Sequence, residues 1–516
     1  MSSSSGSNSK SAPAMATQSQ QAASSSSSSA SGISASAAPM LRIEVPTGGP
    51  VTPVVVPNTR TPVPSGPTPS GRGTPGVHPT VPFNIPQRTR SREQDNTAQQ
   101  TQAREAPLTE YVCVCSYTKL DNLAHKPRGT PANETMTVFA LCNVTGRLTK
   151  LTVSQGGSKE FQNAAFVRSH PKKNILYVVT ESINENGWLF AFRLCPVTGQ
   201  LRELGKISTE GRSACYISLS HDLRYILVTN YWDSTLASVP IDEEGLFLTH
   251  EAVKSQIPGQ NAKKERAAHG DDPHSSHRFK ESHAHACVFD PAFGRMAYVP
   301  DLGEGCLKQF VFDENDGSSR YAGTISCGER AGPRYLEFHP SLDVCYVVNE
   351  LASTVQVFRF DEYRVQEALE KSYRKQECPA TLERIQEIST LPEAFPKNLN
   401  TCGRICVDPT GRWVLVSNRG HDSVAVYSLH PQRGDLTCVG YFHTGGHTPR
   451  HFKFSSTGNY LFSANQDSDS VCVFRFDQST GELAYIRSYE VKSPNFIEVK
   501  PPTVGRKLAS WVYARM

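Results

Sequence analysis

The chain has 516 residues, of which 38% are hydrophobic and 20% are charged, and its formal net charge is +4. This composition supplies enough apolar side chains for a globular core, while so small a net charge gives no support for nucleic-acid binding. No window approaches the roughly 18 apolar residues of a membrane span, and the start lacks the apolar stretch of a secretory signal, so we expect a cytoplasmic protein without membrane contacts.

Residues 1–108 are the first predicted segment. They are rich in Ser, Pro, Thr and Gly and show no periodic hydrophobic pattern. Such a segment cannot bury enough apolar surface to offset the chain entropy that folding removes. We therefore predict a disordered tail over 1–108, a folded domain over 109–502 and a short extension over 503–516.

The predicted domain is built on a repeated β-hairpin. Its clearest occurrence is SHAHACVFDPAFGRMAYVPDLG at 282–303, where two apolar runs flank a tight turn. Further strand patterns follow each hairpin, and a period near 48 residues is typical of four-stranded propeller blades. Six occurrences align on turn residues spaced by 50, 70, 49, 69 and 47 positions: Pro171, His221, Pro291, Pro340, Pro409 and Ser456.

The two ends of this domain each contain part of a seventh unit. The segment TEYVCVCSYT at 109–118 resembles the second strand of the hairpin, and SPNFIEVKPP at 493–502 resembles a lone first strand. Pairing of these two strands would close the ring without a free sheet edge. The sequence therefore predicts an all-β fold, a seven-bladed β-propeller closed by its C-terminal strand.

Two segments interrupt the blade pattern and account for the two long intervals. Residues 254–281 are polar and rich in His, and we predict a loop that leads into the fourth blade. Residues 362–388 show mixed helical spacing interrupted by Pro379, which fits either two short helices or an extended blade hairpin. The sequence assigns no function to either segment.

The 14 cysteines indicate a reducing compartment. Most lie inside apolar strand patterns, where a free thiol acts as a small apolar side chain, and none forms a paired CxxC motif. His283 and His285, two apart on a predicted strand, could chelate a metal ion, but no third ligand lies at a fixed spacing. We therefore predict no metal and no cofactor.

The repeat also identifies the side chains that meet at one end of the ring. In a hairpin the start of the first strand lies beside the end of the second, so residues six before and ten after the turn share one end. The first column contains Ala165, Cys215, His285, Arg334, Gly403, Arg450 and Asn495. The second contains Tyr117, Glu181, Tyr231, Asp301, Glu350, Arg419 and Gln466, and it is preceded by Asn230, Asn349, Asn418 and Asn465.

Two interpretations of these columns stay open. Polar residues at strand ends often only close turns, and this explains the Asn positions as well as a binding site does. Charged side chains at innermost positions must be paired or serve a ligand, which favours a functional site. Arg334, Arg419 and Arg450 near one axis predict a small anionic ligand, because Arg binds carboxylate or phosphate through a bidentate fork.

Several motifs resemble the lactonase family of seven-bladed propellers over about 110–502. They are the hairpin quoted above, GPRYLEFHPSLDVCYVVNE, DPTGRWVLVSNRG and GGHTPRHFKF. This family includes the bacterial propeller-type 6-phosphogluconolactonase and the fungal carboxy-cis,cis-muconate cyclase. The sequence departs from it at Ser282, where Pro usually precedes the HAH motif, and at Tyr335, where His usually follows GPR.

The resemblance implies an enzyme, with His285, Arg334, Glu350 and Arg419 as catalytic residues. Hydrolysis of a sugar lactone such as 6-phosphogluconolactone would use arginines to hold the phosphate and polarise the carbonyl, and His285 or Glu350 to activate water. A lactone-forming muconate cyclase and a non-catalytic scaffold are the alternatives, and the oligomeric state is not indicated. The expected substrate-binding residues are His283, Asp301, Asn349, Asn418, Arg450, Asn465, Gln466, Glu181 and Tyr231.

Overall fold

The computed structural model describes residues 110–154, 160–258 and 281–501. These residues form seven four-stranded antiparallel sheets, and the innermost strands of successive sheets contact one another around a central axis. The predicted seven-bladed β-propeller is thereby confirmed. The predicted tail at 1–108, most of the loop at 254–281 and the extension at 503–516 lie outside the described residues.

The strands of the first four blades are given from the axis outwards. Blade 1 contains β28 (Pro494–Lys500), β1 (Glu110–Ser116), β2 (Met136–Leu141) and β3 (Leu148–Ser154). Blade 2 contains β4 (Ala164–Ser169), β5 (Ile175–Thr180), β6 (Asn186–Leu194) and β7 (Leu201–Arg212). Blade 3 contains β8 (Ala214–Leu219), β9 (Tyr225–Asn230), β10 (Thr235–Pro240) and β11 (Val253–Gln256). Blade 4 contains β12 (Val288–Phe289), β13 (Met296–Asp301), β14 (Cys306–Phe312) and β15 (Ser319–Ser326).

The remaining three blades follow the same order. Blade 5 contains β16 (Pro333–Phe338), β17 (Val344–Asn349), β18 (Thr354–Phe360) and β19 (Leu382–Ser389). Blade 6 contains β20 (Thr401–Val407), β21 (Trp413–Arg419), β22 (Ser423–Leu429) and β23 (Leu436–His443). Blade 7 contains β24 (Pro449–Phe454), β25 (Tyr460–Asn465), β26 (Ser470–Phe476) and β27 (Leu483–Glu490). Short 3₁₀ turns occur at Leu120–Asn122, Lys397–Leu399 and Gln466–Ser468.

Burial explains the difference between inner and outer strands. The second strand of a blade has neighbouring blades on both faces, and β17, with the sequence VCYVVN, is buried at every position. Such strands are nearly continuous apolar runs because neither face meets water. The outermost strand β27 is mostly half-buried or exposed and has a mixed sequence, LAYIRSYE. The core therefore lies between the blades.

A side-chain acceptor in the hairpin turn explains why the repeat is recognisable. In blade 4 the Asp290 carboxylate accepts hydrogen bonds from four backbone N–H groups, those of residues 292, 293, 295 and 296. Gly294 supplies the left-handed backbone of this turn, with φ of 66°. In blades 2, 3, 5, 6 and 7 the equivalent backbone hydrogen bonds are accepted by His170, Ser220, His339, Asp408 and Ser455.

The C-terminal strand closes the ring as the sequence predicts. Strand β28 pairs antiparallel with β1 from Tyr111 opposite Lys500 to Ser116 opposite Pro494. Every residue of β28 is buried, because its faces contact the inner strands β4 and β24 of the neighbouring blades. Without β28, blade 1 would have an open edge at the axis.

The structure decides between the alternatives for one insertion and corrects the bounds of the other. Residues 362–388 are not two helices: they form one helix, α1 (Glu362–Tyr373), followed by the outer strand β19, which pairs antiparallel with β18 as in the hairpin alternative. Helix α1 begins after Asp361, whose carboxylate accepts hydrogen bonds from the first backbone N–H groups. In the other insertion, residues 254–256 belong to β11 and not to a loop. Among the described residues, no helix has the length and apolar composition needed to cross a bilayer.

Candidate active site

A cavity of about 400 Å³ lies at one end of the propeller axis, and all seven blades contribute to its wall. The sequence-predicted residues that line it are Glu181, Cys215, Tyr231, His285, Arg334, Glu350, Arg419, Arg450 and Gln466. The two columns therefore meet around one space. They meet because the repeat places equivalent strand positions at equivalent distances from the axis.

Six of the seven inner strands carry a β-bulge at the end near the cavity. A bulge inserts one unpaired residue into a strand and redirects its side chain out of the ladder. The bulges in β4, β8, β16, β20, β24 and β28 occur at Ala165, Cys215, Arg334, Gly403, Arg450 and Asn495. These are six of the seven residues in the first column. The seventh, His285, precedes β12 and follows an isolated bridge between Ala284 and Asp301.

One carboxylate joins two arginines in the cavity wall. The Oε2 atom of Glu350 lies 2.8 Å from Arg334 Nε and 2.9 Å from Arg419 Nη2. Backbone carbonyls orient the guanidinium groups further: Arg334 Nη1 donates to Gly403 at 3.0 Å, and Arg419 Nη2 donates to Cys402 at 2.5 Å. Two cations against one buried carboxylate leave an excess of positive charge, which suits an anionic ligand or a developing oxyanion.

His285 lies against the same wall in an aromatic setting. Its ring makes edge contacts with Tyr231 and Tyr335, at centroid distances of 5.2 and 5.3 Å. Burial, and then the charge of Arg334, hold the pKa of His285 well below its usual value. Its Nδ1 atom is buried and has no hydrogen-bond partner among the described residues. His285 is therefore a neutral imidazole that can accept a proton.

Glu181, on the wall of the same cavity, forms a polar contact with Tyr117. Its Oε2 atom accepts a hydrogen bond of 2.9 Å from the hydroxyl of Tyr117, and the guanidinium of Arg450 lies 5.6 Å from the centre of the Tyr117 ring. Burial raises the pKa of Glu181, while Arg450 and the hydrogen bond from Tyr117 act in the opposite direction. Glu181 thus differs in environment from Glu350.

The structure places five expected substrate-binding residues behind the cavity wall. Asp301 is fully buried, 2.9 Å from Lys308 Nζ, and accepts the backbone N–H of His283. The ring of His283 stacks on Tyr231 at 4.7 Å. Asn349, Asn418 and Asn465 donate through their side-chain amides to neighbouring loops and strands, as the turn-closing interpretation expects.

The sequence analysis missed a loop that crosses the cavity entrance. Residues 117–135, here called the strap, connect β1 to β2, whereas the equivalent connection in blade 5 has only residues 350–353. Ala124, His125, Lys126 and Arg128 of the strap line the cavity. The unusual length of this connection was the available signal. Thr401 and Thr448 were also missed, and nothing in the repeat marks them.

Hydrogen bonds hold the strap to the blades on both sides of the cavity. At blade 7, the backbone N–H groups of Arg128 and Thr130 donate to Asp467 and Asp469, each at 2.9 Å. At blade 2, the carbonyl of Asn122 accepts a 2.9 Å hydrogen bond from the N–H of Ile183. The strap therefore spans the cavity entrance with both of its ends fixed.

In the part of the chain that the structure describes, no group of three or more His, Cys, Asp or Glu side chains is arranged to hold a metal ion. The two histidines of the HAH motif have different surroundings, since His283 stacks on an aromatic ring and His285 lines the cavity.

Comparison with known proteins gives consistent matches. The family model described as "Lactonase, 7-bladed beta-propeller" matches residues 111–499. The 6-phosphogluconolactonase of Bacillus subtilis is 28% identical over 326 residues, covering 63% of this chain and 84% of the relative. That of Yersinia enterocolitica is 24% identical over 375 residues, covering 71% and 92%. The solved structure of the periplasmic gluconolactonase of Pseudomonas aeruginosa has the same fold, with a TM-score of 0.62, 23% identity and coverage of 76% and 99%.

Proposed function

The chain belongs to the lactonase family of seven-bladed β-propellers, and from that premise we propose that it hydrolyses a small sugar lactone, 6-phosphogluconolactone or a close analogue. One observation carries the proposal: the buried Arg334–Glu350–Arg419 cluster lies with neutral His285 on the wall of one cavity. This arrangement combines a proton acceptor with donors for an oxyanion, which are the two requirements of acyl transfer to water.

The first step is the addition of water to the lactone carbonyl. The water oxygen bonds to the carbonyl carbon while the imidazole of His285 takes one of its protons. His285 suits this role because burial and Arg334 hold its pKa low, so the acceptor form is present at neutral pH. The carbonyl oxygen gains the negative charge, and the guanidinium groups of Arg334 and Arg419 stabilise it.

The second step breaks the ring. The bond between the carbonyl carbon and the ring oxygen opens, the ring oxygen takes a proton, and the product is a hydroxy acid with a free carboxylate. Glu350 acts here as a positioning residue, because its Oε2 atom contacts both guanidinium groups and fixes their places. This geometry favours His285 over Glu350 as the general base.

The charge of the cavity supports an anionic substrate. Five Lys or Arg side chains and three carboxylates line it, and Lys126 and Arg128 of the strap lie at the entrance. A sugar lactone with a phosphate group would match this excess of positive charge. The relatives named 6-phosphogluconolactonase support the same substrate class.

The test is an assay of the purified full chain on freshly generated 6-phosphogluconolactone, with glucono-δ-lactone in parallel. We expect hydrolysis above the spontaneous rate, measured as the 6-phosphogluconate that a dehydrogenase then oxidises. The Arg419→Ala variant should lose most of this activity, and Arg412→Ala, at the far end of β21, should not. Absence of catalysis on every lactone would overturn the proposal, and turnover of a carboxymuconate would favour the cyclase alternative.

A further inference from the structure

The three carboxyl side chains that line the cavity have different partners. Glu350 contacts Arg334 and Arg419, and Asp467 is paired with Arg128 of the strap. Glu181 instead accepts a hydrogen bond from a phenol, that of Tyr117, and among the described residues it forms no ion pair. Its side chain is buried, with 5% of its surface exposed. Arg450 and Arg334 lower the pKa of Glu181 without forming an ion pair with it. A buried carboxyl group that no cation contacts is costly to keep ionised, so it calls for a chemical explanation.

Glu181 lies where it can reach the reacting centre. It follows the last residue of β5 and lines the same cavity as His285. Both residues also line a small adjoining space nearer the axis. The titratable and charged groups that line the same spaces as Glu181 lie on two sides of it. On the axial side they are Tyr117, His125, Lys126, Arg128, Cys215, Tyr231, His285, Arg334, Tyr335, Glu350, Arg419, Arg450, His451 and Asp467, and on the outer side they are Lys119, Glu160 and Glu185.

Lactone hydrolysis needs a proton donor as well as a base. When the ring opens, the leaving oxygen is an aliphatic alkoxide, which departs slowly unless a positioned acid protonates it. Building on the proposed function, we infer that Glu181 is the general acid that protonates the ring oxygen, and that Tyr117 positions its carboxyl group. The proton moves from Glu181 to the ring oxygen, which becomes a hydroxyl group. His285 then releases to solvent the proton that it took from water, and Glu181 takes up a proton from solvent.

The electrostatic setting fits this division of roles. Burial raises the pKa of Glu181 and so extends its protonated form towards neutral pH, while His285 has a lowered pKa and stays neutral. Two titratable groups whose environments move their pKa values apart are the usual arrangement for an acid and a base in one site. The hydrogen bond from Tyr117 to Oε2 leaves Oε1 as the atom that carries the proton.

The experiment compares wild type and Glu181→Gln on two lactones with different leaving groups. For glucono-δ-lactone the leaving group is an aliphatic alcohol, and for dihydrocoumarin it is a phenol, which departs without help from an acid. We expect Glu181→Gln to lower kcat about 100-fold on the first lactone and less than 10-fold on the second. Gln keeps the size of the side chain and an acceptor for Tyr117, so a matching melting temperature checks the fold.

The pH profile gives a second, independent readout. In wild type, kcat should fall at alkaline pH as Glu181 loses its proton, and this limb should disappear in Glu181→Gln. Tyr117→Phe should move the limb to higher pH, because the hydrogen bond that it removes lowers the pKa of Glu181. If dihydrocoumarin is not a substrate, these two profiles on glucono-δ-lactone decide the question alone.

The outcomes separate this inference from the proposed function. Equal losses on both lactones with an unchanged alkaline limb would mean that Glu181 only shapes the cavity, and the inference would be wrong while the lactonase assignment stands. A wild-type chain that hydrolyses no lactone would remove the proposed function itself.

Discussion

The proposed chemistry depends most on two residues, Arg334 and Arg419, through their guanidinium groups. They share one carboxylate oxygen of Glu350, and each also donates to a backbone carbonyl. Such multiple fixation means that the groups do not have to reorganise when an oxyanion forms, which is the condition under which hydrogen-bond donors accelerate acyl transfer most.

Arg419→Ala is expected to lower kcat/KM about 100-fold, because one donor to the oxyanion is removed. Arg419→Lys should restore only part of the activity, since an ammonium group cannot reproduce the planar geometry of a guanidinium. Steady-state kinetics on the best lactone measure both effects. Arg412→Ala is the control: this exposed arginine precedes β21 at the other end of the strand, roughly 20 Å away at about 3.3 Å per residue. An equal loss of kcat/KM in Arg419→Ala and Arg412→Ala would contradict a site at the end of the ring where Arg419 lies.

The acid limb of the pH profile reports on His285. Because burial and Arg334 hold its pKa well below 6.5, kcat/KM should stay constant as the pH falls through 6.5 and decrease only at lower pH. His285→Gln should lower kcat at least 100-fold and remove this limb. A limb centred at or above pH 6.5 would show that another group is the base.

For individual residues, the repeat made much of the site predictable from sequence. Arg334 and Glu350 were found by counting from the turn, because the blades repeat the same strand lengths and six of the seven inner strands carry a bulge at the same offset. The same counting places Asn349 beside the site, but successive strand residues point in opposite directions, and Glu350 lines the cavity while the Asn349 amide donates to Thr354. The bulge itself has no signature in a single sequence, so the exact change of direction could not be foreseen.

Among the structural elements, the strap determines access to the cavity. It approaches blade 7 so closely that a Cβ atom on Gly129 would lie 2.3 Å from the carbonyl oxygen of Gln466 and 2.7 Å from Ser493 Oγ. Glycine is therefore required for this close approach rather than for an unusual backbone angle. A larger residue would move the strap away from the blade.

Gly129→Ala is expected to displace the strap and raise KM several-fold, with a smaller change in kcat, because Lys126 and His125 leave the cavity entrance while His285 and Arg419 stay in place. Lactone saturation curves measure this difference. Gly205→Ala is the matched control, since the nearest atom to its new Cβ would be a Phe247 carbon at 3.8 Å. A loss of kcat with unchanged KM would contradict a role of the strap in binding.

The elements differ in how well the sequence predicts them. The blades follow from hydrophobic runs at a regular period, because every blade must fill the same wedge around the axis. The strap and helix α1 are connections, and no repeat constrains their conformation. Helix α1 did carry a local signal, the capping residue Asp361, but the mixed spacing that follows concealed where β19 begins.

For the whole molecule, closure of the ring should be essential to stability. Deleting residues 494–500 would remove a fully buried strand and expose the edge of β1 and the faces of β4 and β24. We expect loss of soluble, cooperatively melting protein, measured by size-exclusion chromatography and thermal denaturation. Truncation after residue 501 is the control, because it removes 15 residues, more than the seven of the deletion, without removing a described strand. Equal stability of the two variants would contradict the closure model.

Acid should destabilise the folded chain before most carboxylates titrate. The pKa of His170 is lowered to about 4, chiefly by burial, and the pKa values of His285 and His451 are also lowered. Below about pH 6.5 the unfolded chain binds protons that the native state excludes, so the free energy of unfolding falls as the pH decreases towards 4. Each such histidine contributes at most roughly 1.4 kcal/mol per pH unit.

Urea denaturation at pH 7, 6 and 5 measures this dependence. His170→Asp is the informative variant, because His170 Nδ1 accepts two backbone hydrogen bonds in its turn and Asp290 does the same in blade 4. The variant should keep the turn and show a weaker loss of stability between pH 6.5 and 5. An unchanged slope would exclude His170 as a source of the acid sensitivity.

The pairing of β1 with β28 has a consequence for how the protein is made. On the ribosome, β1 is completed early, but its partner emerges only after all the other described strands, as the Tyr111–Lys500 pair shows. Contacts between residues so distant in sequence form slowly, and an unpaired strand edge in a nascent chain attracts other chains. Tyr117, next to β1, lines the small space by the axis together with Asn495 of β28, so the wall of this space is completed by the same pairing. A chain that ends before β28 therefore has neither a closed ring nor a complete wall around this space.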